Sequence, residues 1–500
     1  MRILPCGPRA RLIEHDDPTG YAAAVREAAF AGLIEGVVEV IPAESAVLVT
    51  ADRPISDDAL KRLAPLTAPP LTDEVLSIPV VYDGDDLREV ADLTGLTVDE
   101  VVAAHSGATY TVAFCGFAPG FAYLTGTDDR LHLPRRDTPR TRVPAGSVAI
   151  AAGYSAVYPL ASPGGWHLLG RTGVRIFDAY SDEPALLRPG TRVRFDPATS
   201  LTTSSPPPAA TGSHGVATPI LEVIEPGPLT LIEDLGRAGY GDIAVGGSGA
   251  FDRAAHRLAN RILGNDESAA AIEALGAGLT VCALRHCSIA VTGAQGPLSI
   301  DGIPADRGAP VHLRPGQVLT LGPPTAGIRS VLAVRGGILA TAILGSMSRD
   351  TLAGLGPPPL APGDVIHGGT PQDDVVIDFV PPAAIPVTVN LTIHPGPRAH
   401  LLTPSSRSAL ADGVFTVGTD SDRIGVRLDG PAVHVVAGGR RASEGVVRGA
   451  VQLPPDGRPV ILGPDHPVTG GYPVVGVIED IDPLAQAGPG TPVRFTLVGW

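Results

Sequence analysis

Glycine and proline break this chain at short intervals. There are 61 glycines and 51 prolines in 500 residues, and few stretches between them carry a long helical pattern. Proline lacks the N–H that a helix interior needs, and glycine loses the most backbone freedom on ordering. A chain punctuated this way folds into short strands joined by tight turns. The expected class is mainly β, with a small α+β domain at the N-terminus. Five hundred residues exceed what one core serves, so two to four domains are expected.

Residues 1–80 alternate as βαββαβ. "ARLIEH" reads as a strand, "GYAAAVREAAFAGLI" as an amphipathic helix and "VVEVIPAESAVLVTA" as two strands around a turn. "SDDALKRLAPL" is a second helix and "EVLSIPVVY" a last strand. That order predicts a ferredoxin-like layer of helices on a sheet. Residues 81–200 open with two helical stretches, "DDLREVADLTG" and "TVDEVVAAHSG". From Thr109 to Phe195 they continue as short strands between Gly/Pro turns, the pattern of a small β-barrel. "LTTSSPPPAATGSHGVATP" (201–219) has no apolar periodicity and reads as a linker. Residues 220–500 are again mostly β, apart from "FDRAAHRLANRILGNDESAAAIEAL", which predicts one helix followed by a shorter one. A second break at 373–390 divides this half into two β units.

Two stretches on opposite sides of the linker share one grammar. "VPAGSVAIAAGYSAVYPLASPGGWHLLG" can be laid on "VVRGAVQLPPDGRPVILGPDHPVTGGYPVVG", so that Gly146 meets Gly449 and Gly164-Gly165 meets Gly470-Gly471. The economical reading is two barrels of one design. The alternative is coincidental turn chemistry in two glycine-rich β domains.

Composition removes several classes of function. A net charge of −15 argues against nucleic acid or an anionic membrane as partner. Lys61 is the only lysine, and GxxxxGK[ST] is absent, so there is neither a P-loop nor a residue placed to carry biotin. An anionic ligand must be held by arginine, backbone N–H groups or a partner protein. Cys6, Cys115, Cys282 and Cys287 are scattered without a CxxC pair, which predicts reduced thiols in a cytoplasmic protein. No apolar leader and no run of 18 apolar residues is present, so neither a signal peptide nor a membrane span is expected.

Candidate site residues lie in the glycine-rich loops. In "TVAFCGFAPGFAYLTG", Phe117, Phe121 and Tyr123 stand together in a chain only 4% aromatic, and Gly120 lets backbone approach a ligand. They read as an aromatic wall over a small planar molecule or as a hairpin plugging a barrel end. "LPRRDTPRTRVPAGS" holds Arg135, Arg136, Arg140 and Arg142. Arg135 and Arg140 are candidates for an anion clamp, the alternative being ion pairs with Asp and Glu. The loops Gly164-Gly165-Trp166-His167 and Gly470-Gly471-Tyr472 are candidates to shape ligand pockets. His105 and His167 are candidate proton carriers or else satisfied structural histidines. Arg237 and Ser248 lie on a loop entering a helix, where Asp252 is either a catalytic carboxylate or a first-turn cap. Ser421, Arg423 and Arg427, then Ser443, Glu444 and Gln452, then Asp465, His466 and Thr469 complete the binding candidates, with Asp465 a second candidate catalytic carboxylate. There is no GxSxG elbow or HExxH pair, and no metal ligands are identified.

As a set these motifs are familiar. Through "GFAPGFAYL", "PRRDTPRTRVPAGSVAIA" and "YPLASPGGWHLLGRT", residues 1 to about 200 resemble the allophanate-hydrolase subunit 1 family. That family includes the B component of prokaryotic 5-oxoprolinase and a sporulation-kinase inhibitor. Through "EDLGRAGYGDIAVGGSGAFD", "SDRIGVRLDG" and "VTGGYPVVGVI", residues 220–500 resemble the subunit 2 family, which includes the oxoprolinase C component. The resemblance implies cyclophilin-like β-barrels in both halves. It implies that the fused B and C modules work with a separate A subunit, opening the lactam 5-oxoproline to glutamate at the expense of ATP with Mg²⁺. Phosphorylation of the amide oxygen would supply the leaving group, with arginines and glycine-rich amides stabilising the phosphoryl in transfer. Activity is expected only with the partner subunit, and a homo-oligomer is left open. Two other readings stay open: a carboxyltransferase component acting on urea or a related amide with separate biotin proteins, and a non-catalytic histidine-kinase regulator. A Ser-cisSer-Lys amidase is not expected from a chain with one lysine.

Overall fold

Each half of the chain builds the same seven-stranded barrel in the computed structural model, which describes residues 1–63, 75–201, 217–371, 377–436 and 442–500. In the first barrel, neighbouring strands run His167–Arg171, Ser147–Ala151, Tyr154–Val157, Ala122–Thr125, Tyr110–Cys115, Arg192–Pro197 and Leu76–Val80. A bridge between Val81 and Arg171 returns to the start. In the second, Val474–Ile478, Ala450–Gln452, Val460–Leu462, Gly425–Asp429, Phe415–Val417, Pro492–Leu497 and Val389–Pro395 close in the matching order. In both, the first and last strands of the module pair in parallel. Each barrel also carries a two-stranded flap: Arg140–Val143 with Ser162–Gly164, and Glu444–Gly445 with Thr469–Gly470. The repeat read from glycines is a repeat of topology.

Gly146 and Gly449 show why those glycines recur. Both have positive φ, 81° and 80°. Gly146 donates to Tyr158 O and accepts from Thr172 N, while Gly449 donates to Leu462 O and accepts from Ile478 N. A Cβ at either position would collide with the carbonyl of Thr172 or Ile478.

A second correspondence is electrostatic. The N–H groups of Gly84 and Asp86 donate to Leu169 and Leu168; those of Gly396 and Arg398 donate to the matching Val475 and Val474. Asp86 and Arg398 therefore occupy equivalent positions. Each pairs with its own flap, Asp86 with Arg140 opposite Gly164 and Arg398 with Glu444 opposite Gly470. The two ion pairs match in place and are opposite in sense.

The N-terminal region departs from the expected βαββαβ order. Its antiparallel sheet runs Arg2–Pro5, Ala10–Glu14, Ala46–Ala51, Val37–Pro42, and its helix Pro18–Phe30 lies between the second strand and Val37–Pro42. Asp17 caps that helix through Gly20 N, and Tyr21, Val25 and Ala28 pack one helical face onto Ile13, Val47 and Val49. The short first strand was not foreseen. The strand Leu76–Val80, expected to finish this sheet, instead pairs with Arg192–Pro197, because Ile78 and Val80 are buried with Tyr110, Val112 and Phe195 in the first barrel. Most of the expected linker 201–219 lies outside the described residues, as do residues 373–376 of the second expected break.

Between the barrels stands a sandwich of a seven-stranded and a five-stranded sheet sharing one core. Here "AAAIEAL" corrects the expectation of a second, shorter helix: Ala271–Leu275 is a strand between Leu229–Glu233 and Ala326–Val334. Its alanines favour a helix in isolation, but both neighbours complete its backbone hydrogen bonds and both faces are buried. Ile272 faces the sandwich core. Ala271, with Ala290 and Ala333, makes a shallow surface for the helix Arg253–Ile262.

His105 is enclosed where the helix Val98–Ser106 meets the first barrel, and this corrects its candidacy as a proton carrier. Tyr82 Oη donates to Nδ1 at 2.8 Å, Nε2–H donates to Ser155 Oγ at 2.8 Å, and the ring stacks on Phe195 at 4.7 Å. Burial lowers its pKa from 6.5 to about 3. Between those values the unfolded chain binds a proton that the native state refuses. Stability is fully present above pH 6.5 and is lost as pH falls toward 3, by about 2 kcal/mol at pH 5. Urea unfolding at pH 7 and pH 5 should show that loss in the wild type and a smaller one in His105→Gln.

Candidate functional site

A cleft of about 480 Å³ opens between the two barrels. The first barrel contributes Phe114, Phe117, Tyr123, Tyr154 and Trp166 with Arg135; the second contributes Ser443, Thr469, Gly470 and Gly471; Glu44 comes from the N-terminal sheet. Phe114 stacks on Tyr123 at 4.3 Å, and Tyr123 meets Trp166 and Tyr154 edge-on, each at 5.5 Å. Behind them Phe121 is buried against Tyr158 and Trp166. The two readings of this hairpin therefore divide by residue, with Phe121 as the plug and Phe117 and Tyr123 in the wall. Phe117, at the loop tip, holds φ at 70° and is 45% exposed, and Ala152 on the lining has φ 50°. Two non-glycine residues in the left-handed region store backbone strain beside one cleft. A Cβ on Gly116 would stand 2.5 Å from Thr469 Oγ1, so glycine lets the aromatic hairpin abut the second flap.

The lining can hold a small, flat, polar molecule. Aromatic faces cover it on one side. Arg135 offers a fork of donors, Thr469 and Ser443 offer hydroxyls, and Glu44 is the one carboxylate among the lining residues. Of the residues singled out from sequence, the cleft gathers Phe117, Tyr123, Arg135, Trp166, Thr469, Gly470 and Gly471, along with Ser443. Glu44, Phe114 and Tyr154 were missed. Tyr154, at the end of "AIAAGY" and one residue from a positive-φ glycine, carried a signal, whereas Glu44 in a Pro-Ala-Glu-Ser turn carried none.

Other candidates sit elsewhere. Arg140 forks onto Asp86 at 2.6 and 2.9 Å, and Arg136 binds the same carboxylate, so the expected clamp is an internal ion pair except at Arg135. Burial opposes ionisation of Asp86, but Arg140 and the Leu168 N–H outweigh it and hold the carboxyl below its usual range. Gly120 packs against Phe177, and Gly164 makes room for the Tyr158 hydroxyl. His167 is buried beside the cleft wall, its Nε2–H donating to Pro134 O. Glu444 is held by Arg398. Gln452 lies against Gly470 and reaches Tyr472 O at 3.4 Å, with the Tyr472 ring half exposed. Ser421 locks onto Arg427 N within one turn, and Arg427 pairs with Asp420 on the surface.

Three more candidates, Arg423, Asp465 and Ser248, form a buried polar joint between sandwich and second barrel. Arg423 donates to Asp465 at 2.9 Å, Glu273 at 2.6 Å and Gly249 O at 2.8 Å, with Glu233 3.2 Å away. Asp465 also accepts from Ser248 Oγ and from Thr351. Burial pushes Glu233 well above the usual carboxylate range, against the pull of Arg423. Asp252 caps the helix Arg253–Ile262 through Ala255 N, and burial raises its pKa to about 6.

The same two halves that meet at the cleft match two family models. "Carboxyltransferase domain, subdomain C and D" matches residues 1–187, and "Carboxyltransferase domain, subdomain A and B" matches residues 243–497. The chain belongs to the carboxyltransferase-domain family. Its N-terminal part is 46% identical to the B component of 5-oxoprolinase from Escherichia coli O157:H7 over 170 residues, 32% of this chain and 78% of that one. Its C-terminal part is 33% identical to the C component of 5-oxoprolinase from Escherichia coli K12 over 282 residues, 55% of this chain and 90% of that one. A crystal structure of a protein named TTHA0988 superposes on 98% of this chain and 99% of its own, with TM-score 0.87 and 35% identity. This carboxyltransferase-domain chain thus joins, in one polypeptide, modules similar to two separate subunits.

Two substitutions separate scaffold from cleft in this carboxyltransferase-domain chain. Arg140→Lys replaces a fork with a point charge beside buried Asp86 and should lower unfolding free energy by about 1–2 kcal/mol. Gly471→Ala meets nothing within 4 Å, so it should leave the urea midpoint unchanged while placing a methyl in the cleft. Equilibrium unfolding of both proteins checks the contrast.

Proposed function

We propose that this chain is the fused B/C component of an ATP-dependent 5-oxoprolinase, cleaving 5-oxo-L-proline to L-glutamate together with a separate A subunit. The observation that carries the reading is the inter-barrel cleft, which is complete only when the B-like and C-like halves meet. Its size and lining suit a five-membered lactam carboxylate. The ring lies against the aromatic wall, Arg135 takes the carboxylate, and the Thr469 and Ser443 hydroxyls reach the amide. Closing an aromatic wall over the ring excludes water until the amide is activated.

ATP with Mg²⁺ belongs to the same proposal. Among the described residues no group of His, Cys, Asp and Glu could hold a metal ion. The family description itself favours a second reading, a carboxyltransferase component acting on urea or a related amide with separate biotin proteins.

Mixing the purified chain with its A subunit should release glutamate from 5-oxoproline only in the presence of ATP, and neither protein should do so alone. Arg135→Gln should cut that rate by about a hundredfold with an unchanged melting temperature, since loss of a charge-assisted fork on substrate costs about 2–3 kcal/mol. An ATP-supplied, folded mixture that releases no glutamate, but transfers carboxyl to urea with a biotin carboxylase, establishes the second reading instead.

A further inference from the structure

A larger opening lies away from the inter-barrel cleft. A cleft of about 840 Å³ runs where the N-terminal sheet, the sandwich and the second barrel meet, and Arg237, Arg253 and Arg448 line it. These arginines are close neighbours. Arg448 donates to Phe251 O, two residues before Arg253, and Arg253 reaches Leu235 O, two residues before Arg237.

Two of the three keep buried donors without an acceptor. Arg237 is only 7% exposed; its Nη2 donates to Ser348 O, while its Nε and Nη1 are buried without a partner. Arg253 Nε is likewise buried and unpartnered. Among the described residues neither has a carboxylate within ion-pair distance, and Arg448 has one, Asp482 at 3.5 Å. The other acids on the cleft have partners of their own: Glu39 accepts from Gly239 and Gly241 N–H, Glu479 pairs with Arg9, and Asp480 accepts from Asp482 N–H. Behind Arg237, Asp350 accepts from Leu352 and Ala353 N–H, and Asp234 is taken by Ser346, Met347 and Gly236, so both act on the guanidinium through charge and neither bonds it. What the three leave open is donor capacity: among the described residues Arg237 Nε and Nη1 and Arg253 Nε have no acceptor. Burial, and then the nearby Arg253, depress the Arg448 pKa to about 9, as expected of a cation short of counter-charge.

We propose that Arg237, Arg253 and Arg448 bind the phosphate group of a small anionic ligand in this three-way cleft. Phosphate oxygens fit the unpartnered guanidinium donors, and the volume admits a molecule larger than a bare ion. Loop glycines Gly246 and Gly247 keep that wall thin enough for such a ligand to approach.

The test is calorimetric titration of the full chain alone with inorganic phosphate, pyrophosphate and ATP, with succinate as a dicarboxylate control. It needs no turnover, so its outcome is independent of the 5-oxoproline assay. Pyrophosphate or ATP should bind, and Arg237→Gln and Arg253→Gln should each weaken binding at least about tenfold, while Arg135→Gln leaves it unchanged. ATP and pyrophosphate of equal affinity identify phosphate groups alone as the feature recognised; tighter ATP identifies a nucleotide. Protection of the wild type against urea by pyrophosphate, absent in Arg253→Lys, gives a second readout should a glutamine variant fold poorly. No binding by any phosphate at millimolar concentration overturns the proposal, as does succinate binding equally well or binding indifferent to Arg237 and Arg253.

Discussion

The placement of the second barrel depends on one guanidinium. Arg423 enters the sandwich side of the interface and meets Glu273, Glu233, Asp465 and a backbone carbonyl, all inaccessible to water. Arg329 stands 3.7 Å from Glu273, so two cations share the buried carboxylates of this joint. Removing one member of such a set leaves a buried charge uncompensated, at about 3–5 kcal/mol. Both clefts inherit their shape from this joint, because each takes one wall from the second barrel.

The two barrels share a plan and divide the chemistry. The first presents rings and Arg135 to the shared cleft; the second presents hydroxyls and unencumbered glycine. Trp166 and Tyr472 follow equivalent glycine pairs, yet Trp166 is buried on the wall and Tyr472 points half into solvent. The flaps share one plan, and the faces they present to the cleft are complementary.

How much of this was legible in the chain follows from what each residue type reports. Glycines at Gly146 and Gly449 report backbone geometry, which is local, so the repeat and the two barrels could be read directly. Aromatic clustering in "GFAPGFAYL" pointed to the cleft for the same reason. Partner choice is not local. Nothing in "PRRDTPRTR" says that Arg140 meets Asp86, 54 residues away, while Arg135 does not, and nothing near Arg423 announces Asp465 and Glu273. Likewise "AAAIEAL" looks helical until two strands claim its backbone, and "EVLSIPVVY" looks like part of the domain it follows until its parallel partner, more than a hundred residues later, is known. Long-range pairing decided each of these cases.

A chain that contains one fold twice risks confusing its own parts while it folds, since either flap could settle on either barrel. The reversed ion pairs bear on that risk. Correct docking joins Asp86 to Arg140 and Arg398 to Glu444. Exchanged docking would set Arg140 against Arg398 and Glu444 against Asp86, two repulsive couples in poorly solvated positions. The polarity of a single buried pair thus labels each copy, and the energetic gap between right and wrong assembly is widest where the two barrels are most alike.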